Sequence, residues 1–179
     1  MPVQIGAKSH SFSDPTALLS DCHRRIETFL GALERVGSLI DRPLTEEARS
    51  ALEAALRYFR QATPKHTADE EESLFPRLRQ MDIPDVRGAI ERLEPLEHDH
   101  VLAASLHREV EELGQRYLAT GKLEATGVEA FRKAVASLVS IYKEHIDIED
   151  NLVFPLAARL LSPTDRAAIA DEMAARRQL

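Results

Sequence analysis

The chain has 179 residues, enough for one domain with an extra helix. A net charge of −7 with no basic stripe argues against nucleic acid as a partner. No apolar run is long enough to span a bilayer, and a single cysteine, Cys22, excludes an internal disulfide, so the expected setting is the reducing cytoplasm.

Residues 1–13 read as a flexible N-terminal tail that lacks the basic start and apolar run of a signal peptide. Asp14-Pro15 then marks a helix start, with an N-cap followed by proline at the first helical position. The first helix extends to Leu39 or Ile40, and Asp41-Arg42-Pro43 turns the chain. Thr45 caps a second helix, with Glu46 and Glu47 favourably placed in its first turn. This helix runs to about Gln80 with a bend expected at Pro64, and Asp82-Ile83-Pro84-Asp85 ends it. A short helix leads past Pro95 into a third long helix that ends near Thr120-Gly121. The fourth runs from about Val128 to Leu161, with a kink expected at Pro155. Ser162-Pro163-Thr164-Asp165 restarts the chain into a C-terminal helix. No strand pattern occurs. The expected fold is all-α: an antiparallel up-down-up-down four-helix bundle over residues 14–161, with a short C-terminal helix in 162–179.

Apolar residues step by three and four along all four long helices, as the seam of a bundle requires. Polar groups interrupt that seam: His23 on the first helix, His66 and Glu70 on the second, His100 and His107 on the third, and His145 and Glu149 on the fourth. A short segment occurs twice. His66 is followed by Glu70, Phe75 and Pro76 at the offsets at which His145 is followed by Glu149, Phe154 and Pro155. Histidine and glutamate at i, i+4 share one helix face. Most such pairs are solvated surface pairs, and buried ones can form a polar core network. Here they lie on the buried stripe, where an unpaired carboxylate costs several kcal/mol, and a bound metal would explain their tolerance. In an antiparallel bundle His23, His66, Glu70, His100, His145 and Glu149 also fall at roughly one level, so one pocket could be lined from all four helices.

These residues resemble the hemerythrin-like, or HHE cation-binding, family over about Pro15 to Leu161, and the two His-x-x-x-Glu motifs with their Phe-Pro tails are the most specific part. The resemblance implies a centre of two non-haem irons, oxo- or hydroxo-bridged, with Glu70 and Glu149 bridging and His23, His66, His100 and His145 as terminal ligands. Imidazole and carboxylate also suit iron on chemical grounds. On the third helix, His98 and His100 lie about 200° apart, so only one faces the site. A Glu-His pair, frequent in the family at this place, favours Glu97-His98; the seam favours His100. Oxygen carriers of the family have a second histidine four residues on, where this chain has Ala104. Of about twelve positions on two octahedral irons, about two then stay open, which speaks against simple O2 carriage.

The functional expectation is a di-iron protein that binds or senses O2, NO or a related small oxidant. The alternatives are a di-iron oxidoreductase acting on NO or peroxide, or an iron donor in iron–sulfur cluster repair. Iron storage fits less well, because ferritin-like sites use Glu-x-x-His on two helices. A sensor would signal through a protein partner or a change in homo-oligomeric state. Of the remaining groups, Cys22, Tyr142 and His107 read as core residues, with a fifth ligand the other reading for His107. His10 reads as solvated, and the acidic run Asp69 to Glu72 as solvent-facing apart from Glu70. Arg176 and Arg177 suit a helix C-terminus.

Overall fold

The computed structural model describes residues 14–81 and 83–178. The N-terminal tail, His10 and Asp82 lie outside the described residues. Among the described residues every regular element is helical: α1 (Pro15–Leu39), α2 (Glu46–Gln61), α3 (Thr63–Ala68), a π-turn (Asp69–Leu74), α4 (Phe75–Arg79), α5 (Pro84–Thr120), α6 (Ala125–Ile148), a second π-turn (Glu149–Val153), α7 (Phe154–Leu160) and α8 (Pro163–Arg176). The caps are those the sequence announces. Asp14 accepts from the Ala17 amide, Thr45 from Ala48 and Ser162 from Asp165, each satisfying an amide that the first turn leaves free. Gly121, at φ 73°, closes α5 in the left-handed conformation that costs glycine nothing.

One expectation changes. The region from Pro84 to Thr120 is one helix rather than two. Pro95 removes a single donor, that for the Glu91 carbonyl, and both residues are exposed, so water can take the missing place. The proline at the end of each repeat is preceded by a widened turn, which the sequence pattern does not announce. The Phe75 amide bonds back to the Glu70 carbonyl and the Phe154 amide to that of Glu149, five residues apart in both cases. A proline ring clashes with the carbonyl four residues earlier, and an extra residue in the preceding turn relieves the crowding. The widened turn carries both phenylalanines inward; Phe75 and Phe154 are buried.

The core has two main apolar clusters separated by a polar layer, and a small third one of Val86, Ala89 and Leu156. On α1, Leu18 and Leu19 belong to one cluster and Ile26 onward to the other, with His23 between them. From α2 to α4 the order reverses, with Phe59, then His66 and Glu70, then Leu74 and Phe75. On α5, Leu93 and Leu96 precede His100 and Ala103 follows it; on α6 and α7, Ile146 precedes Glu149 and Val153 follows it. Ile169 and Met173 of α8 close the smaller main cluster and are fully buried. Each contributes roughly 1.5–3 kcal/mol by its burial.

Candidate metal centre

The polar layer gathers His23, His66, Glu70, His100, His145 and Glu149 into one pocket, each of them buried. Their donor atoms form two adjoining groups. One comprises His23, His66, Glu70 and Glu149, the other Glu70, His100, His145 and Glu149, with the atoms of each group within 4.8 Å of one another. The two glutamates belong to both. Glu70 Oε1 lies 3.2 Å from His66 Nε2, and Oε2 3.3 Å from His100 Nε2. Glu149 Oε2 lies 3.1 Å from both His23 Nε2 and His145 Nε2. Phe154 stacks on His23 with ring centroids 5.2 Å apart, so the Phe-Pro tail of the second repeat forms a wall of the pocket.

Three imidazoles are oriented from behind. His23 Nδ1 donates to Asp150 at 2.9 Å, His100 Nδ1 to Glu71 at 2.7 Å and His145 Nδ1 to Asp99 at 3.4 Å. An ionised carboxylate can only accept. Nδ1 therefore carries a proton, so Nε2 is the nitrogen that can release its proton and turn a lone pair to a cation, the arrangement that fixes a metal-binding histidine. Each carboxylate adjoins one pocket residue in sequence and serves a histidine on another helix. Arg24 in turn pairs with Asp150.

Residues that fit a cation should lack partners without one. Both oxygens of Glu70, both of Glu149 and Nε2 of His23 are buried with no hydrogen bond among the described residues. His100 Nε2 and His145 Nε2 face each other at 3.1 Å. Leaving such atoms unsatisfied is costly, and a pair of cations shared by the two glutamates would satisfy them together. The ionisation of the pocket reflects the same crowding. Burial, and then the neighbouring Glu149 carboxylate, push Glu70 well above the ordinary carboxylate range. Burial acts in the same sense on Glu149, but the close imidazoles of His145 and His23 outweigh it and hold that carboxyl low. Burial disfavours the His23 imidazolium, yet Asp150 and Glu149 on its two sides raise its pKa to about 9. Two carboxylates in one dry pocket thus do not share a common state.

His98 is exposed on α5, while His100 enters the pocket. His107 lies outside both groups. Its Nε2 shares a hydrogen bond of 3.1 Å with the Tyr142 hydroxyl, and its ring stacks on Phe59 with centroids 4.3 Å apart. Burial lowers its pKa to about 4, so it is neutral near neutral pH. Cys22 is a buried free thiol.

The acidic run differs from its sequence reading. Asp69 is fully buried and pairs with Arg176 and Arg177, and Glu71 supports His100, so beyond Glu70 only Glu72 is the solvated carboxylate expected there. The two arginines accordingly do more than suit a helix end. Glu71, Asp99 and Asp150 were not singled out by the sequence reading either. Their only signal is an acid next to a pocket residue, which falls off the buried stripe and so reads as surface.

No curated protein sequence matches the chain. The family model described as the Hemerythrin HHE cation binding domain matches residues 14–157, a span that contains every residue of the pocket and both repeats. With buried His/Glu groups able to hold cations at the heart of that span, the chain belongs to the hemerythrin HHE cation-binding family.

Proposed function

We propose that this protein holds two non-haem irons in the polar layer of an antiparallel up-down-up-down bundle and binds or senses O2, NO or a related small oxidant in the cytoplasm. The observation that carries this reading is the pair of adjoining donor groups sharing Glu70 and Glu149. One helical level with two shared carboxylates and two imidazoles on each side matches the demand of two cations for bridging and terminal ligands. The alternating order of the two main apolar clusters along successive long helices supports the antiparallel arrangement.

In this reading Glu70 and Glu149 bridge, His66 and His23 bind on one side, and His100 and His145 on the other. Asp150, Glu71 and Asp99 hold three of the imidazoles in the productive tautomer. The two main apolar clusters shield the layer from water on two sides, which strengthens the charge interactions within it. Iron bound there would supply redox-sensitive affinity for a small oxidant. With four histidines and two glutamates as the protein ligands, open coordination positions remain, and the oxidoreductase alternative uses the same residues.

Elemental analysis of protein produced with ample iron tests the reading. About two irons per chain are expected on chemical grounds; one persistent zinc, or no metal, overturns it. His100→Ala is expected to lower the iron content markedly, and His98→Ala to leave it nearly unchanged. The reverse result would remove His100 from the ligand set. Anaerobic reduction followed by exposure to O2 or NO separates the two functions. A stable reversible adduct indicates a binding protein or sensor, and repeated turnover with an electron donor indicates an enzyme.

A further inference from the structure

A cavity of about 490 Å3 opens between α2–α3 and α5 and reaches His100. We propose that it binds a neutral, flat apolar organic molecule beside the metal centre, so that this chain takes a second ligand much larger than a diatomic. The proposal rests on the reading of the polar layer as a metal centre only for what the ligand lies next to; the cavity itself is independent of it.

Size excludes a diatomic as the natural occupant. One water takes about 30 Å3 in the liquid, and O2 and NO are of that order. The volume falls within the roughly 300–1,000 Å3 of pockets that enclose small organic ligands. Its walls are overwhelmingly apolar, with Leu56 and Phe59 on one side and Ala103 and Val110 on the other. Water held there would find few partners, and an apolar guest gains by displacing it.

The lining also specifies shape and charge. Phe59 and His107 both line the cavity and stack on each other, and an aromatic pair of this kind can take a further ring edge to face. His107 is neutral, and its Nδ1 has no hydrogen bond among the described residues while Nε2 is engaged by Tyr142. It therefore offers one directional contact and no charge. Of the charged groups at the rim, Arg60 lies 3.7 Å from Glu111, Glu72 pairs with Arg176 and Glu71 with His100, so no unpaired carboxylate is left to select a cation. Ala104, one turn beyond His100, keeps the entrance wide with its small side chain.

N-phenyl-1-naphthylamine, neutral and fluorescent in apolar surroundings, is the probe; the chain contains no tryptophan to interfere. Titration into the full-length protein as isolated is expected to show one saturable site per chain. Ala104→Phe, at an exposed position that folding tolerates, should weaken binding at least tenfold by filling the cavity from α5. Thr67→Leu should weaken it from the opposite wall. Val101→Ser, which removes a side chain 68% exposed outside the cavity, should leave it unchanged. Absence of saturable binding, equal binding by Ala104→Phe and wild type, or loss of binding in Val101→Ser overturns the proposal. Metal content measured on the same samples keeps the two readings apart. Probe binding without metal removes only the metal centre, and metal without probe binding removes only the cavity ligand.

Discussion

Stripping the metal is expected to lower the melting temperature by roughly 8–16 °C. A ligand present at about a thousand times its dissociation constant and bound only by the folded state adds about 4 kcal/mol, and each kcal/mol moves the midpoint of a chain this size by roughly 2–4 °C. The pocket explains the sign. Without cations, four carboxylate oxygens and the Nε2 of His23 are buried without hydrogen bonds, and burial beside Glu149 forces Glu70 well above the ordinary carboxylate range. Anaerobic addition of Fe(II) should restore most of the loss. Glu149→Ala should melt near the metal-free wild type and fail to respond to iron, because one of the two shared carboxylates is gone. Glu72→Ala should melt within about 1 kcal/mol of wild type: its pair with Arg176 lies at the surface, with Glu72 67% exposed. Thermal melts of the wild type with and without metal and of the two variants decide the matter. Equal melting of the metal-loaded and metal-free wild type would show that the polar layer is satisfied by some other means.

The periodicity of the chain made much of this pocket legible. His23, His66, Glu70, His100, His145 and Glu149 lie on stripes whose other members are apolar, and a stripe fixes which side of a helix is buried whatever the tertiary detail. The choice of His100 over His98 follows from the same phase, since the helix continues through Pro95 without resetting it. The π-turns were not legible as such. Hydrophobic periodicity over a few residues cannot register one extra residue in a turn, and Pro76 and Pro155 signalled only that something must yield. The supporting carboxylates were hidden for a related reason. Asp150, Glu71 and Asp99 sit one position off the stripe, where a charge is expected to face water, and each acts on a histidine brought close only by tertiary packing. The cavity beside His100 likewise depends on how far apart α2–α3 and α5 stand, which no stripe encodes.

Removing the arginine clamp from Asp69 is expected to cost about 3–5 kcal/mol, the usual consequence of stranding one member of a buried ion pair. Asp69 opens the first π-turn, directly before Glu70, and is fully buried. Arg176 Nη1 donates to its Oδ1 at 3.0 Å and Arg177 Nη2 to its Oδ2 at 2.6 Å; Arg176 also donates to Ser73 Oγ at 2.9 Å. Both arginines come from the end of α8 and are themselves only 20% and 21% exposed, so solvent cannot replace them cheaply. The double variant Arg176→Ala/Arg177→Ala should therefore melt roughly 6–20 °C lower. Adding Asp69→Asn should recover a substantial part, because the amide leaves no charge stranded beside Glu70. Arg77→Ala is the comparison: its bidentate partner Glu172 is 40% exposed, and its loss should cost about 1 kcal/mol. The informative contrast is the triple variant against the double. If the triple melts no higher, the arginines do not act through the Asp69 charge, and α8 is held by the burial of Ile169 and Met173. If it melts higher, the C-terminal helix neutralises the residue that begins the first π-turn, and the geometry of Glu70 depends on a segment beyond the four long helices that supply the pocket.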